Sequence, residues 1–212
     1  MIELYTWATP NGTKPAIMLE ETGIAYTVHL VDITKGEQFA PDFLAISPNN
    51  KIPALVEEEA GQPRRVLFES GAVLMYLAER TGQLLATSGA ARDATLEWLL
   101  WASSGIGPTF GQFWYYASEG HDGPSPRQRF TAEAWRLVEV LEKRLNAVPF
   151  LAGEYSIADI AAFTWVHAVL PTLGAHVSHP IPNVQAWLRN IHERPAVRRG
   201  LRAPKQRVNA HR

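Results

Sequence analysis

The chain of 212 residues contains no cysteine, and this absence limits the chemistry that it can perform alone. It can form no disulfide, offer no thiolate to a metal and use no thiol of its own as a nucleophile. Its formal net charge is only −1, which argues against a nucleic-acid-binding surface. No apolar run approaches the length of a membrane span. No basic segment followed by an apolar run opens the chain, so we expect no secretory signal and a cytoplasmic location.

The first part of the chain alternates between strand-like and helix-like patterns. The order β-α-β-α-β-β-α predicts a small mixed sheet with helices packed on it. Pro15 is expected in the first turn of the first helix, where proline is tolerated. The predicted segments are strand 2–7, helix 14–22, strand 26–31, helix 41–46, strands 54–56 and 66–68, and helix 70–81.

The pattern weakens between Gly82 and Gly89, and we place a linker there. It separates a domain of residues 1–82 from a domain of residues 90–212, whose apolar residues recur with helical period. Ser156 and Asp159 have the spacing of a capping box that opens an apolar helix, and we interpret both as structural. The predicted fold class is therefore α/β plus all-α.

The segment from Tyr5 to Asn11 is the most informative about function. An apolar, β-favouring run ends there in Thr9, Pro10 and Asn11, just before the first predicted helix. A hydroxyl and an amide at a helix start can donate hydrogen bonds to an anion, which the helix dipole also favours. The same residue types are good helix caps, so capping alone is the alternative. If the anion is a thiolate, a ligand must supply it.

Three separated motifs resemble those of the cytosolic glutathione transferases. They are the Ile-Pro pair within Asn50–Leu55, the Glu69–Ser70 pair that opens a helix, and the Ser156–Asp159 capping box. The resemblance covers nearly the whole chain and implies a thioredoxin-like N-terminal domain followed by an all-helical C-terminal domain. More narrowly, the segments Thr9–Gly12 and Ser47–Pro53 resemble the nu class, whose members act as glutathione-dependent disulfide-bond oxidoreductases. Glutathione as substrate and a homodimer are what this resemblance implies.

Within this resemblance, Thr9 and Asn11 are the predicted catalytic residues. The glutathione thiol has an intrinsic pKa of roughly 8.5, so little of it is ionised at neutral pH. A threonine hydroxyl is too weakly acidic to act as the base, but it can donate a hydrogen bond to sulfur, as can the Asn11 amide. We therefore expect neutral donors to stabilise the thiolate.

The resemblance also implies which residues hold the rest of glutathione. Pro53 is expected to follow a cis peptide bond that turns the Ile52 backbone toward the cysteinyl residue; an ordinary trans proline is the alternative. Glu69 and Ser70 are expected to bind the γ-glutamyl ammonium and carboxylate at a helix N-terminus. The alternative for Ser70 is simply helix capping.

The remaining predicted contacts lie further from the sulfur. Lys51 and Gln38 are expected to reach the glycine carboxylate, with a solvated surface position as the alternative. In the nu class an arginine of the partner subunit approaches glutathione, and Arg129 is the best match, with Arg127 as the fallback. A surface salt bridge is the alternative for this arginine.

Aromatic residues near a predicted helix bend are expected to line the pocket for the second substrate. Gly105, Gly107 and Pro108 predict the bend. Aromatic clusters of this kind also occur in cores and interfaces, so that alternative stays open. The predicted pocket residues are Phe110, Trp114, Tyr115 and Tyr116, with Trp7 as a further candidate.

His176 and His179 have a spacing that metal ligands can use, but no further ligands are evident and we predict no metal site. Three functions remain open. The first is reduction of disulfides by bound glutathione, and the second is conjugation of glutathione to small electrophiles. The third is a non-catalytic, glutathione-binding regulatory protein, against which the intact predicted site residues count.

Overall fold

The structure is a computed structural model that describes residues 1–117, 124–174 and 179–205. Its contacts divide the chain into two compact units. The first comprises Met1–Gln83 together with the described residues from His192 onward, and the second comprises Leu84–Ile191. Among the described residues, no helix combines the length and apolar character that crossing a membrane requires.

The first unit is built on a four-stranded sheet with strand order β2-β1-β3-β4. β1 pairs with β2 in parallel, while the β1–β3 and β3–β4 pairs are antiparallel. This element order and the mixed sheet confirm the predicted thioredoxin-like domain. The elements are β1 (Ile2–Thr6), α1 (Pro10–Thr22), β2 (Tyr26–Leu30), a 3₁₀ turn (Glu37–Phe39), α2 (Pro41–Leu44), β3 (Ala54–Glu57), β4 (Arg65–Phe68), α3 (Ser70–Thr81), α9 (Pro195–Arg202) and a final 3₁₀ turn (Ala203–Lys205).

Burial along β1 follows the period of two that a strand with one buried face requires. Ile2, Leu4 and Thr6 are buried, and the residues between them are half-buried. β3 is buried along its whole length, as expected for a strand that pairs on both sides. β1 and β3 therefore form the centre of this unit, and the C-terminal end of β1 leads directly into the candidate site at α1.

The start of α1 differs from the prediction. The helix begins at Pro10, with Thr9 as its N-cap, rather than at Lys14. Proline at the first helical position leaves no amide unsatisfied and has a φ suited to a helix, so Pro10 extends the helix backward. The expectation that Pro15 lies in the first turn was therefore wrong, because Pro15 lies inside α1.

α9 packs against α1 within the first unit, although most of the chain separates them. The contact is close at Gly200, where an added Cβ would lie 2.5 Å from Ile17 Cα and 2.6 Å from Ile17 N. Arg194, the N-cap of α9, and Arg199 within α9 both contact acidic residues of α1. Arg194 forms a two-bond ion pair with Glu21, and Arg199 Nε lies 2.5 Å from Glu20.

We expect Gly200→Ala to lower the free energy of unfolding by about 1–3 kcal/mol, because the methyl group would overlap backbone atoms that cannot rotate away. Denaturant unfolding of both proteins checks this value. Gly111→Ala is the matched control, since its Cβ would meet the Trp165 ring at an ordinary 3.5 Å. Equal stability of wild type and Gly200→Ala would contradict the tight α1–α9 contact.

The secondary-structure elements described in the second unit are all helices, which confirms the predicted all-helical C-terminal part. A π-helical stretch, Ala102–Ile106, joins α4 to α5 where the bend was predicted. The helices are α4 (Gly89–Trp101), α5 (Gly107–Ala117), α6 (Pro124–Ala147), α7 (Ile157–Leu173) and α8 (Pro182–His192). Their core includes Leu99, Ile106, Phe110, Phe113, Leu137, Val138, Leu141, Phe163, Val166 and Trp187.

The predicted capping box at the start of α7 is present. Asp159 is fully buried and accepts four hydrogen bonds. Its Oδ2 accepts from the Ser156 amide at 3.0 Å and the Ser156 hydroxyl at 3.2 Å. Its Oδ1 accepts from the Leu151 amide at 3.0 Å and from Trp187 Nε1 at 2.9 Å. One carboxyl group thus holds the start of α7, the preceding loop and α8 together.

Candidate functional site

Thr9 ends the turn that follows β1 and caps α1. Its backbone is extended (φ −128°, ψ 162°), and its Oγ1 accepts a hydrogen bond from the Gly12 amide at 3.1 Å. The capping interpretation of Thr9 is therefore correct. Capping uses only the oxygen as an acceptor, so the hydroxyl hydrogen of this half-buried side chain can still be donated. Capping and thiolate stabilisation are compatible at Thr9.

Gly12 allows this turn to be tight. A Cβ at this position would overlap Trp7 O and would lie 2.6 Å from Thr6 Oγ1. In the native chain, Thr6 Oγ1 instead donates a hydrogen bond to Gly12 O at 2.8 Å. Only glycine permits this approach of the helix to the end of β1, so Gly12 fixes where Thr9 and Asn11 lie.

Asn11 is the second residue of α1, and its side chain contacts a lysine rather than capping the helix. Lys14 Nζ donates to Asn11 Oδ1 at 2.9 Å and lies 3.4 Å from Ser70 Oγ on α3. Lys14 is only 2% exposed. The buried ammonium group therefore contacts one predicted residue from the thiol end of the site and one from the γ-glutamyl end.

The position of Lys14 changes its protonation equilibrium. Burial lowers the pKa of its ammonium group to about 8, and the negative charge of Glu69 acts in the opposite direction. Lysine is rarely this buried unless it is paired, because the charged form loses its hydration. A positive charge held beneath the predicted thiol and carboxylate positions makes this part of the surface suited to anions.

The turn that precedes β3 presents the Ile-Pro pair. The Ile52–Pro53 peptide bond is cis, as the resemblance implied. A hydrogen bond from Ser47 Oγ to Lys51 O at 2.8 Å stabilises the turn. The backbone of Asn50 within it has a positive φ of 49°. Pro53 is buried and Ile52 is half-buried. The alternative of a trans proline is wrong.

Glu69, not Ser70, is the N-cap of α3. The alternative role of Ser70 as the cap is therefore wrong; Ser70 is the first helical residue and is nearly buried, at 9% exposure. Glu69 has a positive φ of 70° and makes no side-chain cap. Such a backbone is strained for a residue other than glycine, and strain of this kind concentrates at ligand sites. The first-turn amides of α3 have no partner within the helix, so they suit a carboxylate.

The two residues predicted for the glycine carboxylate belong to the same unit. Lys51 is exposed, directly before the cis peptide bond. Gln38 lies in the 3₁₀ turn Glu37–Phe39, and its Oε1 is buried without a hydrogen-bond partner among the described residues. Rotation of the amide would present its NH₂ group at that position instead.

The predicted pocket residues of the second unit differ in exposure. Phe110 has no exposed surface, so the core alternative describes it. Trp114 and Tyr115 are 48% and 53% exposed. Tyr116 is half-buried and stacks on Phe130, with ring centroids 5.6 Å apart. In the first unit, Trp7 is half-buried and follows directly after β1.

Arg129 is exposed on α6. It lies in the second turn of this helix, because α6 begins at Pro124 rather than at Arg127. The pKa of Glu133 is lowered mainly by its hydrogen bond with Arg136, and the positive charge of Arg129 acts in the same direction. No group of three or more potential metal ligands occurs among the described residues. His179 Nε2 lies 3.7 Å from Glu139, and His176 falls outside the described residues.

Two residues of the site, Lys14 and Gly12, are not among the site residues predicted from the sequence. From the sequence, Lys14 is predicted only as the start of a helix. The apolar run Ala16–Leu19 that follows it is a signal that this part of the helix is buried. The spacing of three between Lys14 and Asn11 was a further signal, because residues three apart meet on one face. Gly12 was read as part of a motif, and the close approach to Trp7 could be found only from the structure.

Comparison with known sequences and structures identifies the family. Residues 1–79 match the model of the glutathione S-transferase N-terminal domain, and residues 124–190 match that of the glutathione S-transferase C-terminal domain. The chain is also 45% identical over 206 residues to the disulfide-bond oxidoreductase YfcG of Escherichia coli, covering 95% of this chain and 94% of that protein.

Solved structures agree with this match. A glutathione transferase family member from Pseudomonas fluorescens pf-5, crystallised with two glutathione molecules, has a TM-score of 0.88 and 43% identity, with 94% and 92% of the two chains covered. A Pseudomonas putida glutathione transferase with one glutathione disulfide per subunit also has a TM-score of 0.88 and 43% identity, with 96% and 91% covered. Given the thioredoxin-like first unit, the helical second unit and these matches over nearly the full length, this chain belongs to the glutathione S-transferase family of enzymes.

Proposed function

We propose that this chain is a homodimeric enzyme that uses bound glutathione to reduce disulfides. One observation carries the proposal: the Thr9 hydroxyl and the Asn11 amide lie at the start of α1 in a chain that has no cysteine. Thioredoxin-like reductases normally use thiols of their own, which this protein lacks. Both reducing thiols must then come from glutathione, and the cytoplasm expected from the sequence keeps glutathione reduced.

The thiolate of glutathione is stabilised by neutral donors in this proposal. Lowering the thiol pKa by about two units requires about 2.7 kcal/mol of preferential binding of the thiolate. Hydrogen bonds to a charged acceptor contribute about 1.5–3 kcal/mol each, and the dipole of α1 adds about 0.3–1 kcal/mol. Donation from Thr9 Oγ1 and Asn11 Nδ2 to sulfur is therefore sufficient without a general base.

The rest of the tripeptide binds along the same face of the first unit. The Ile52 backbone beside the cis bond pairs with the cysteinyl residue, in the manner of an added strand. The first-turn amides of α3 and the Ser70 hydroxyl bind the γ-glutamyl carboxylate, and Glu69 binds the adjacent ammonium. Lys51 and Gln38 bind the glycine carboxylate. The exposed Glu69 carboxylate and the strained backbone at that residue support this arrangement.

Two glutathione molecules are consumed in each reaction. The bound thiolate attacks one sulfur of the substrate disulfide, forming a mixed disulfide and releasing one thiolate. The thiolate of a second glutathione attacks the glutathione sulfur of that mixed disulfide, which releases the second substrate thiolate and leaves glutathione disulfide. The Pseudomonas relatives described above hold two glutathione molecules in one case and glutathione disulfide in the other, which supports this sequence.

The disulfide-reductase function is supported by the name of the E. coli relative, a disulfide-bond oxidoreductase. We retain Trp114 and Tyr115 as candidates to contact the second substrate, because their exposed rings offer apolar surface. Trp7 is a further candidate. Arg129, exposed on α6, is retained as the residue that reaches the glutathione of a partner subunit, with Arg127 as the fallback.

Thr9→Ala is expected to lower kcat/KM for the reduction of 2-hydroxyethyl disulfide about tenfold at pH 7, because the thiolate loses one donor. The substitution also removes the α1 cap, which costs about 1 kcal/mol of stability. Thr9→Ser is the matched control, since it keeps both the capping oxygen and the donated hydrogen.

Steady-state assays with varied glutathione, together with thermal unfolding, separate the two effects of Thr9→Ala. A folded Thr9→Ala protein with full activity would remove Thr9 from the mechanism. Wild-type protein without turnover above background would defeat the proposed function itself.

Conjugation of glutathione to electrophiles is the second candidate function. The half-exposed rings of Trp114 and Tyr115 favour it, because a flat aromatic electrophile can stack on such surfaces. Chlorodinitrobenzene assayed beside 2-hydroxyethyl disulfide distinguishes the two functions by the ratio of their kcat/KM values. A higher kcat/KM for chlorodinitrobenzene than for the disulfide would favour conjugation over disulfide reduction as the function.

A further inference from the structure

Lys14 lies at the candidate site, and the proposed reaction gives it no role. Its side chain is 2% exposed, and its Nζ contacts Asn11 Oδ1 at 2.9 Å and Ser70 Oγ at 3.4 Å. Asn11 belongs to the predicted thiol end and Ser70 to the predicted γ-glutamyl end. These two residues lie on different helices and are brought together by one ammonium group.

The contact with Asn11 determines how its amide is oriented. An amide presents an acceptor oxygen on one side and a donor NH₂ on the other, and diffraction seldom distinguishes the two. A lysine ammonium group donates only, so the atom that faces it must be Oδ1. The NH₂ group is then turned away from Lys14. The lysine thereby selects the orientation in which Asn11 can donate to an anion.

The contact with Ser70 has the same effect. A hydroxyl that accepts from an ammonium group directs its own hydrogen elsewhere, so Ser70 remains able to donate to a carboxylate. Among the described residues, both hydrogen-bond partners of Nζ are neutral oxygens, so its positive charge is offset only in part, by the carboxylate of Glu69. The nearby anionic side chain is Glu69, which is exposed to solvent. A buried charge in this state attracts further negative charge.

We propose that Lys14 is a positioning residue that orients the Asn11 amide and the Ser70 hydroxyl and adds a buried positive charge favouring the glutathione thiolate. This inference rests on the proposed function, because it assigns Lys14 a part in activating the same sulfur. It adds one consequence: the sulfur end and the γ-glutamyl end of the ligand are coupled through a single side chain.

Several other ionisable groups lie on the elements that pack around Lys14 and α1. α1 packs against β1, α3, α9 and the final 3₁₀ turn. Glu69, at the start of α3, is the charged residue whose field acts on Lys14. The remaining ionisable groups on these elements are Glu3 and Tyr5 on β1, Glu20 and Glu21 paired with Arg199 and Arg194, Tyr76, Glu79 and Arg80 on α3, Arg198 and Arg202 on α9, and Lys205.

Lys14→Met tests the proposal by removing the charge and the donors while keeping the length of the side chain. Replacing a buried ion with an apolar residue of similar volume is often tolerated. We expect the pKa of the bound glutathione thiol, read from thiolate absorbance during a pH titration, to rise by about one unit, which is a tenfold loss of thiolate. KM for glutathione should rise as well. Lys14→Arg, which keeps charge and donors, should recover part of the loss.

Lys143→Met is the matched control, because it removes an exposed lysine from α6. The pKa of the glutathione thiol bound to Lys143→Met should equal that of the thiol bound to the wild type. A folded Lys14→Met protein with a wild-type thiol pKa would overturn the proposal. A purely structural role would lower the melting temperature and leave this pKa unchanged.

A second measurement uses the wild-type protein and does not depend on whether a variant folds. Linkage is reciprocal, so a thiolate stabilised by Lys14 must also raise the pKa of Lys14. NMR titration of the Lys14 side chain should show a larger rise with glutathione than with S-methylglutathione, which keeps both carboxylates but has no ionisable thiol. Equal pKa values in the two complexes would overturn the proposal.

Failure of the proposed function gives a different result. In that case wild-type protein would not bind glutathione in calorimetry, or would bind it with an unshifted thiol pKa. If the wild type binds glutathione with a lowered thiol pKa and Lys14→Met retains it, only the role of Lys14 is rejected.

Discussion

Replacement of Asp159 with alanine is expected to lower the free energy of unfolding by about 3–5 kcal/mol at neutral pH. The Asp159 carboxyl group accepts from the Leu151 and Ser156 amides and from the Trp187 indole, and all of these contacts are buried. An alanine leaves these donors without a partner in the interior, where each unsatisfied group costs about 1–3 kcal/mol. Chemical denaturation monitored by tryptophan fluorescence and circular dichroism measures the difference.

Ser156→Ala is the matched control for this substitution. It removes the hydroxyl that donates to Asp159 and accepts from the Ala158 amide, but it keeps the backbone bonds, so a loss of about 1 kcal/mol is expected. Asp159→Ala should therefore be clearly the more damaging of the two. Equal losses in both variants would mean that the bonds to Leu151 and Trp187 contribute little.

The effect of Asp159→Ala should also depend on pH. Burial raises the pKa of Asp159 to about 6, and its four hydrogen-bond donors act in the opposite direction. Because this pKa lies above that of an unfolded aspartate, the native state binds the proton more tightly between about pH 4 and 6. The contribution of Asp159 to stability is therefore complete below about pH 4 and declines as pH rises through 6. The stability difference between wild type and Asp159→Ala should narrow over the same interval.

Asn11→Asp is expected to lower kcat/KM for disulfide reduction about 100-fold at pH 7, the largest effect on activity. An ionised aspartate has the size of asparagine and still accepts from Lys14, but it has no hydrogen to donate to sulfur. It also places a negative charge beside the thiolate, which raises the pKa of the glutathione thiol. Both changes lower the fraction of bound glutathione that is present as the reactive thiolate.

The pH dependence of Asn11→Asp distinguishes this explanation from simple misfolding. If the substitution acts by raising the thiol pKa, part of the lost activity should return as pH increases and the thiol ionises. Asn146→Asp is the matched control, because it makes the same exchange at an exposed position of α6. Full activity of Asn11→Asp at pH 7 would exclude Asn11 as a donor to sulfur.

Local signals in the sequence predicted the features that depend on neighbouring residues. The order of strands and helices in the first part followed from apolar period, and the capping box at Ser156 and Asp159 from spacing alone. The cis bond before Pro53 followed from the family resemblance, since an isolated Ile-Pro pair is trans in most proteins. The start of α1 was misplaced because Pro10 was read as part of a loop rather than as a first helical residue.

Features that join distant segments could not be predicted in this way. Lys14 is buried and its Nζ contacts Ser70 at the start of α3, and no local pattern in the sequence links these two residues. The packing of α9 on α1 likewise depends on the absence of a side chain at Gly200, which has meaning only once Ile17 lies beside it. Asn11 was identified as functional from the family motif, but the lysine that orients its amide was visible only in three dimensions.

The association of α9 with α1 also has a consequence for how the protein is made. The ribosome synthesises the sheet and α1 first, then the whole helical unit, and only afterward the segment that covers Ile17. Until then, the surface of α1 that contacts α9 stays uncovered on the nascent chain, which makes it a candidate for chaperone binding. Pairing of such distant segments also closes a long loop, so it should be a late event in folding.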